Sequence, residues 1–302
     1  LNVVGIDQFP VAREYEKNPD ISRQDIARLR DWLATQPHLP EKYLTELDLV
    51  LVFHCCERSA EVAKQVLELH FTLRTLFTAL FKDRRLDRKT EFNLETILFA
   101  PLPAPTARGY RAVYLRLLDA DPRNFHFSDT VRTFMMVFDM WQYEEGTWPG
   151  FVIIIDMDQA VMGHIAKLDL MTIRQLLYFL QECMLVKLKE VHFLNAPSFM
   201  DKLMMMLKPF MKKSLLEIIH IHQIGANTVY DYVPKKAFPK NEGGEYKDHY
   251  TIRDELLAKF RANQQFLVAE NLRRADPARR GGPASVEDLF GIQGSFKKLD
   301  ID

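Results

Sequence analysis

"VHFLNAPSFMDKLMMMLKPFM", from Val191 to Met211, begins as a buried strand and ends as a helix carrying five methionines. Wound at 3.6 residues per turn, Met206, Phe199, Phe210, Leu203, Leu207, Met200, Met211 and Met204 share one arc of roughly 160°. Asp201, Lys208 and Lys212 lie opposite, with Met205 beside them. Pro209 kinks or ends the helix. A core-facing stripe needs only about 100°, so the surplus width has two readings. One is a helix wedged into a core. The other is a lid, with one flank over an apolar cavity and an outer flank, holding Met200 and Met204, that meets membrane. Methionine suits a lid because its side chain is flexible and polarizable. Asn195 hydrogen-bonds backbone where the strand stops, and Pro197 pre-sets the first helical turn.

Outward from this stretch, "YRAVYLRLL" (110–118), "GFVIIIDMD" (150–158), "EVHFLNA" (190–196) and "LEIIHIH" (216–222) read as strands, rich in β-branched and aromatic residues. Helical patterns at 129–141, 168–187 and 198–208 alternate with them, which argues an α/β domain with a largely parallel sheet. "FVIII" shows no alternation, so that strand is central and covered on both faces. Before residue 100 the chain reads helical. Ser22 and Asp25 form a capping-box pattern. From Ser59, the residues Val62, Val66, Leu69, Leu73, Leu76 and Leu80 make one apolar stripe of a long helix. "KDRRLDRKTE" (82–91) reads as a solvated connection and "APLPAPTARG" (100–109) as a Pro-rich boundary. The expected organisation is a helical region over 1–90, an α/β domain over 91–250, and a C-terminal helix with an extended tail over 251–302.

The chain has 302 residues, 47% hydrophobic, with a net charge of −1. Balanced charge argues against nucleic-acid binding, which needs a basic field. Three cysteines, Cys55, Cys56 and Cys183, make no disulfide framework and fit a reducing setting. The opening "LNVVGIDQFP" lacks the basic start and apolar core of a signal peptide, and no apolar run reaches the roughly 18 residues of a membrane span. The expectation is a cytoplasmic protein with at most peripheral association to intracellular membranes.

Reactive clusters are thin. His220 and His222 point to one face of a strand but lack a further ligand at metal spacing, and read as structural or surface histidines. Asp156 and Asp158 end the central strand, where α/β folds place sites. No GxxxxGK, GxGxxG or GxSxG motif accompanies them, so Asp156 reads as a turn or capping residue. No catalytic residue, metal or cofactor is assigned.

The combination of "KLKEVHFLNAPSF" with "LKPF" (187–210), "IIIDMD" (153–158) and "VPKKAFPKNEGG" (233–244) resembles the CRAL-TRIO lipid-binding family, which includes cellular retinaldehyde-binding protein, α-tocopherol transfer protein and the clavesins. "LVLVFHCCERSAEVAKQVLELHFTLR" (49–74) resembles the helical N-terminal domain of that family, and "DLFGIQGSFKKLDID" (288–302) its arthropod members. Where the family has a glycine after "DMD" and a proline before the basic pair, this chain has Gln159 and Leu185.

The resemblance implies a helical N-terminal domain on an α/β domain with a sheet floor and a lid helix. It implies a soluble carrier, not an enzyme, that holds one hydrophobic small molecule (a tocopherol, retinoid, carotenoid or similar isoprenoid) and exchanges it at membranes. The alternative is a scaffold acting through protein partners, with lipid as a regulatory ligand. The cavity is expected among Phe134, Phe138, Val152, Ile154, Phe179, Phe193, Phe199, Leu203, Leu207 and Phe210. Tyr178, Cys183 and His192 are the expected polar groups for a ligand head. Lys187 and Lys189 match two of four phosphoinositide-contacting positions in the family; the other two align with Ser214 and Ile218. With Lys208, Lys212 and Lys213, they are expected to form one positive surface for anionic or phosphoinositide-containing membranes.

Overall fold

The computed structural model describes residues 8–282 and 285–296. The chain opens with α1 (Val11–Lys17), α2 (Arg23–Ala34), α3 (Glu46–Cys55), α4 (Ala60–Leu76), α5 (Thr78–Phe81) and α6 (Arg88–Thr96). Capping boxes start α2 at Ser22 and α3 at Thr45, each closed by an Asp three residues on, which satisfies orphan N–H groups of the first turn. Helix α3 is apolar nearly all round and buried from Leu47 to Phe53, and α1, α2 and α4 pack against it. On α4 the buried face is Ala63, Leu67, His70, Phe71 and Arg74, while Val62 is exposed. Leu73 of the expected stripe is buried as well, so the stripe is rotated only over its first turns, at Val62 and Val66. The rotation escapes hydropathy because His70 and Arg74 enter the core as hydrogen-bonded polar groups.

Five strands follow: β1 (Ile97–Pro101), β2 (Arg111–Leu117), β3 (Phe151–Asp156), β4 (Leu188–Leu194) and β5 (Ile219–Ile221), in the order β1-β2-β3-β4-β5. β1 is antiparallel to β2 and the remaining pairs are parallel. The connections are α7 (Phe127–Glu145), then α8 (Met162–Ile165) with α9 (Leu170–Glu182), then α10 (Met200–Leu207) with α11 (Lys213–Leu216). Each parallel crossover steps one strand in the same direction. Right-handed crossovers therefore put these helices on one face of the sheet. The other face is covered by the 3-10 turns between Thr228 and Glu242 and by α12 (His249–Ala262). β1 was missing from the sequence reading. Its last residue is Pro101, which an edge strand tolerates.

The chain ends with α13 (Gln264–Glu270) and α14 (Val286–Phe296). The tail is thus helical over 286–296 rather than extended. The Ser285 hydroxyl accepts from the Asp288 N–H at 3.1 Å, and Leu289 and Phe290 bury their side chains in the core. Residues 297–302, also expected to be extended, lie outside the described residues.

The charged run 82–91 is not a solvated link. Arg84 is fully buried and α6 begins inside the run. Arg84 and Arg74 each bridge both Asp139 and Glu270 at 2.6–2.8 Å. Arg273 adds Glu270 at 2.8 Å and Asp48. Three guanidinium and three carboxylate groups, from α3, α4, α7, α13 and the segments that follow α5 and α13, thereby balance in the interior.

Candidate functional site

Between the sheet and the crossover helices lies a cavity of about 260 Å³. Its floor is the alternate residues Ile97 and Phe99, Leu115 and Leu117, Ile153 and Ile155, Val191 and Phe193, and Ile219. Leu188 joins them despite the wrong parity, because a bulge opposite Phe151 and Val152 shifts the β4 register there. Helix α7 supplies Thr130, Val131 and Phe134 to the wall, α9 supplies Ile173, Leu176, Leu177 and Leu180, and α10 supplies Leu203 and Leu207. Of thirty lining residues only Arg116, Thr130, Asp156 and His164 are polar.

Of the thirteen residues expected to hold a ligand, Phe134, Phe193, Leu203 and Leu207 line this cavity. Val152, Ile154 and His192 lie on the opposite sheet face, because the inward set is one residue off the expected one. His192 is fully buried there. It hydrogen-bonds His222 at 2.9 Å and Glu190 at 3.1 Å and stacks on His220 at 4.7 Å. Burial pulls its pKa down to about 3. Phe138 packs on Trp148 and Phe151 and is not part of the lining. Phe179 and Cys183 face the N-terminal helices, Phe179 against His70 and Phe81 and the Cys183 carbonyl accepting from His70 at 2.7 Å. Tyr178 packs edge-on against Phe290. Phe199 and Phe210 flank α10 outside the wall. Sequence reading overlooked the α9 residues 173, 176, 177 and 180, although their i, i+3, i+4, i+7 spacing was visible.

Helix α10 covers one side of the cavity. Met200, Leu203 and Met204 are buried, whereas Met205 is 72% exposed. The outward methionine is therefore Met205, not the expected Met200 and Met204, because α10 is rolled so that its widest apolar flank packs inward. Pro209 ends the helix in a 3-10 turn at Lys208–Phe210. The two ends of α10 are held differently. Before it, Asn195 sits in the left-handed region at φ 51°. Its side chain donates to Asp156 at 2.8 Å and accepts from the Gly225 N–H at 3.0 Å, so it ties strands and a neighbouring loop rather than capping local backbone. Asp156 also accepts from Tyr114 at 2.5 Å and from the Asp158 N–H at 2.9 Å, in keeping with a turn residue. After α10, one side chain of α9 does the holding: Gln181 donates to the Phe210 carbonyl at 3.0 Å and accepts from the Lys212 N–H at 2.7 Å.

Outside α10, Met205 and Met206 share a shallow groove with Met162, Ile165, Ala166, Leu168 and Lys202. Ile165 and Leu168 line both groove and cavity, so a single layer of side chains separates them. Val161, Leu170 and Met171, next to the groove in sequence, are exposed as well.

Two of the five lysines share a cleft. Lys187 and Lys189 line a polar cleft of about 310 Å³ with Lys17, His54, Glu57 and Arg58. Lys187 pairs with Glu57 there. Lys208, Lys212 and Lys213 are exposed and are not part of this cleft; Lys212 pairs with Glu182 and Lys213 with Glu217. Among the described residues, no group of His, Cys, Asp and Glu could hold a metal ion, and no helix is long and apolar enough to cross a membrane.

Comparison with known proteins agrees with this architecture. Residues 98–244 match the CRAL/TRIO domain and residues 18–90 the Pinta-like UBA domain. Clavesin-1 of Xenopus laevis is 23% identical over 236 residues, covering 76% of this chain and 70% of that protein. Clavesin-1 of Mus musculus is 23% identical over 236 residues, covering 76% of this chain and 66% of its own length. For Clavesin-2 of Homo sapiens the values are 23% over 241 residues, 76% and 71%. The solved structure of Sfh5 covers 92% of this chain and 99% of its own at 9% identity, with a TM-score of 0.42, too loose a likeness to bear on the site. The matched domain spans the sheet, the cavity floor and α10, and the chain carries a CRAL/TRIO domain over residues 98–244.

Proposed function

We propose that this chain is a carrier. It binds one hydrophobic small molecule, of the tocopherol, retinoid, carotenoid or similar isoprenoid kind, and exchanges it at membranes by displacement of α10, without catalysis. The observation that carries this reading is the cavity itself. About 260 Å³ approaches the size of small-molecule pockets, and four polar residues in thirty suit a ligand that has little to hydrogen-bond. A packed-shut interior would favour the scaffold alternative; an open one favours the carrier. The CRAL/TRIO domain match supports lipid binding.

The exposed apolar residues Val161, Met162, Leu170, Met171 and Met205 support a membrane-facing side beside α10. On a bilayer, apolar area uncovered by lid movement enters an apolar phase rather than water. Lys202 lies in the same groove and suits anionic head groups. Phosphoinositide contact through Lys187 and Lys189 stays part of the proposal, with the cleft as its place.

The test is mass spectrometry of an organic extract from the purified protein, followed by transfer of the recovered compound between vesicles. One apolar species at near-stoichiometric amount, moved faster with vesicles than without, is the expected result. An extract free of apolar compounds, together with failure to take up any added isoprenoid, overturns the carrier reading.

A further inference from the structure

The four polar residues of the cavity wall are not equivalent. Arg116 is spent on Asp158 at 2.8 Å, Glu242, and Asp156 at 3.7 Å. Asp156 accepts from Tyr114, Asn195 and the Asp158 N–H. The Thr130 hydroxyl donates to the His126 carbonyl at 3.0 Å and accepts from Asn93 at 3.1 Å.

His164 differs. It lies on α8, is 4% exposed and presents its ring to the edge of Phe125. Its Nδ1 accepts from the Val161 N–H at 3.0 Å. That bond fixes the tautomer, because a neutral imidazole accepting at Nδ1 carries its proton on Nε2. Burial lowers the pKa and keeps the ring neutral. The Nε2 atom, on the other side of the ring, is buried with no hydrogen-bond partner. A buried donor left unpaired is costly, and natural interiors seldom tolerate one without a reason.

Resting on the carrier reading above, we infer that the ligand carries a neutral oxygen acceptor, a hydroxyl, carbonyl or ether, that receives the His164 Nε2–H at the α8 end of the cavity. A pure hydrocarbon leaves the donor unpaired. A carboxylate fits poorly, because a neutral imidazole cannot neutralise it and both charged wall residues, Arg116 and Asp156, already have partners. The site thus selects oxygenated, uncharged lipids with the oxygen at one end and the apolar body over the sheet floor.

The experiment compares farnesol, farnesene and farnesoic acid as probes, by displacement of a bound environment-sensitive dye at neutral pH. Farnesol is expected to bind on the order of tenfold tighter than farnesene and tighter than the acid. In His164→Phe, which keeps an aromatic ring without the donor, the preference for farnesol over farnesene should fall to near one, whatever the variant's affinity for farnesene. Labelled wild-type protein adds a readout independent of the variant: the Nε2–H resonance of His164 should move with farnesol and stay with farnesene. Equal binding of farnesol and farnesene, tighter binding of the acid, or an unmoved resonance on farnesol binding overturns this assignment and leaves the carrier standing. Failure of all three probes to bind counts against the carrier reading, and the assignment falls with it.

Discussion

Shortening one buried side chain of α10 should separate opening in water from opening on a membrane. Met200, Leu203 and Met204 are 6, 5 and 7% exposed. Burying each is worth about 1.5–3 kcal/mol, so lifting all three into water costs roughly 5–9 kcal/mol. Opening in buffer is then rare and release slow. Met204 does not line the cavity, so Met204→Ala leaves the wall's own side chains in place. It removes about 2–3 kcal/mol from the opening cost, which corresponds to roughly 30- to 150-fold faster release in buffer. On vesicles the lifted face enters an apolar phase, so the same truncation should change transfer by no more than a few-fold. The assay is stopped-flow release of a fluorescent lipophile, with and without vesicles, at a temperature where the variant remains folded. A Met204→Ala protein whose buffer and vesicle rates rise by the same factor would show that opening in the two settings is one process, and the area argument would fail.

Three further outcomes are expected. Glu270→Ala leaves the buried arginines Arg74, Arg84 and Arg273 short of one counter-charge and should cost about 3–5 kcal/mol in denaturant unfolding; a loss under 1 kcal/mol would mean the network is solvated. His192, whose folded pKa is pulled down to about 3 by burial, stays neutral while the unfolded chain takes up a proton below about 6.5. Its contribution should be constant above that pH and should erode by about 1.4 kcal/mol per unit as pH falls toward 3. His192→Gln should flatten that part of the profile, and identical wild-type and variant slopes between pH 6.5 and 5 would refute the assignment. Met205→Asp, at a 72% exposed position, should weaken vesicle association without moving the unfolding midpoint; unchanged sedimentation with vesicles would remove this face from the membrane contact.

The architecture was legible where a period was long and unopposed. Four strands and the helices α7, α9 and α10 stood out as strand-like and helix-like runs, and the H-x-x-N-x-P-x-F stretch (192–199) fixed the position of α10. The cavity wall was less legible because "FVIII" is apolar at every position, so its hydropathy cannot say which parity faces the helices. One clue was available. His192 and Phe193 are neighbours on a strand and cannot share a face, so both could not line one cavity. The ion network was invisible for a different reason: Arg84 sits in a run of charges that reads as solvated, and its partners Asp139 and Glu270 are far away in sequence. The His164 donor likewise needed coordinates, since only geometry shows which of its nitrogens is already used.

Gln181 meets the chain just beyond α10 through two backbone hydrogen bonds, while the lining of the cavity comes from other residues. For a carrier, what is held and how long it is held are then written at different addresses. Selection can retime delivery at position 181 without altering the cargo, or swap the cargo along the sheet floor without altering the timing. A pair of homologues that differ only in residence time should therefore differ near this glutamine, and a pair that differ in cargo should not.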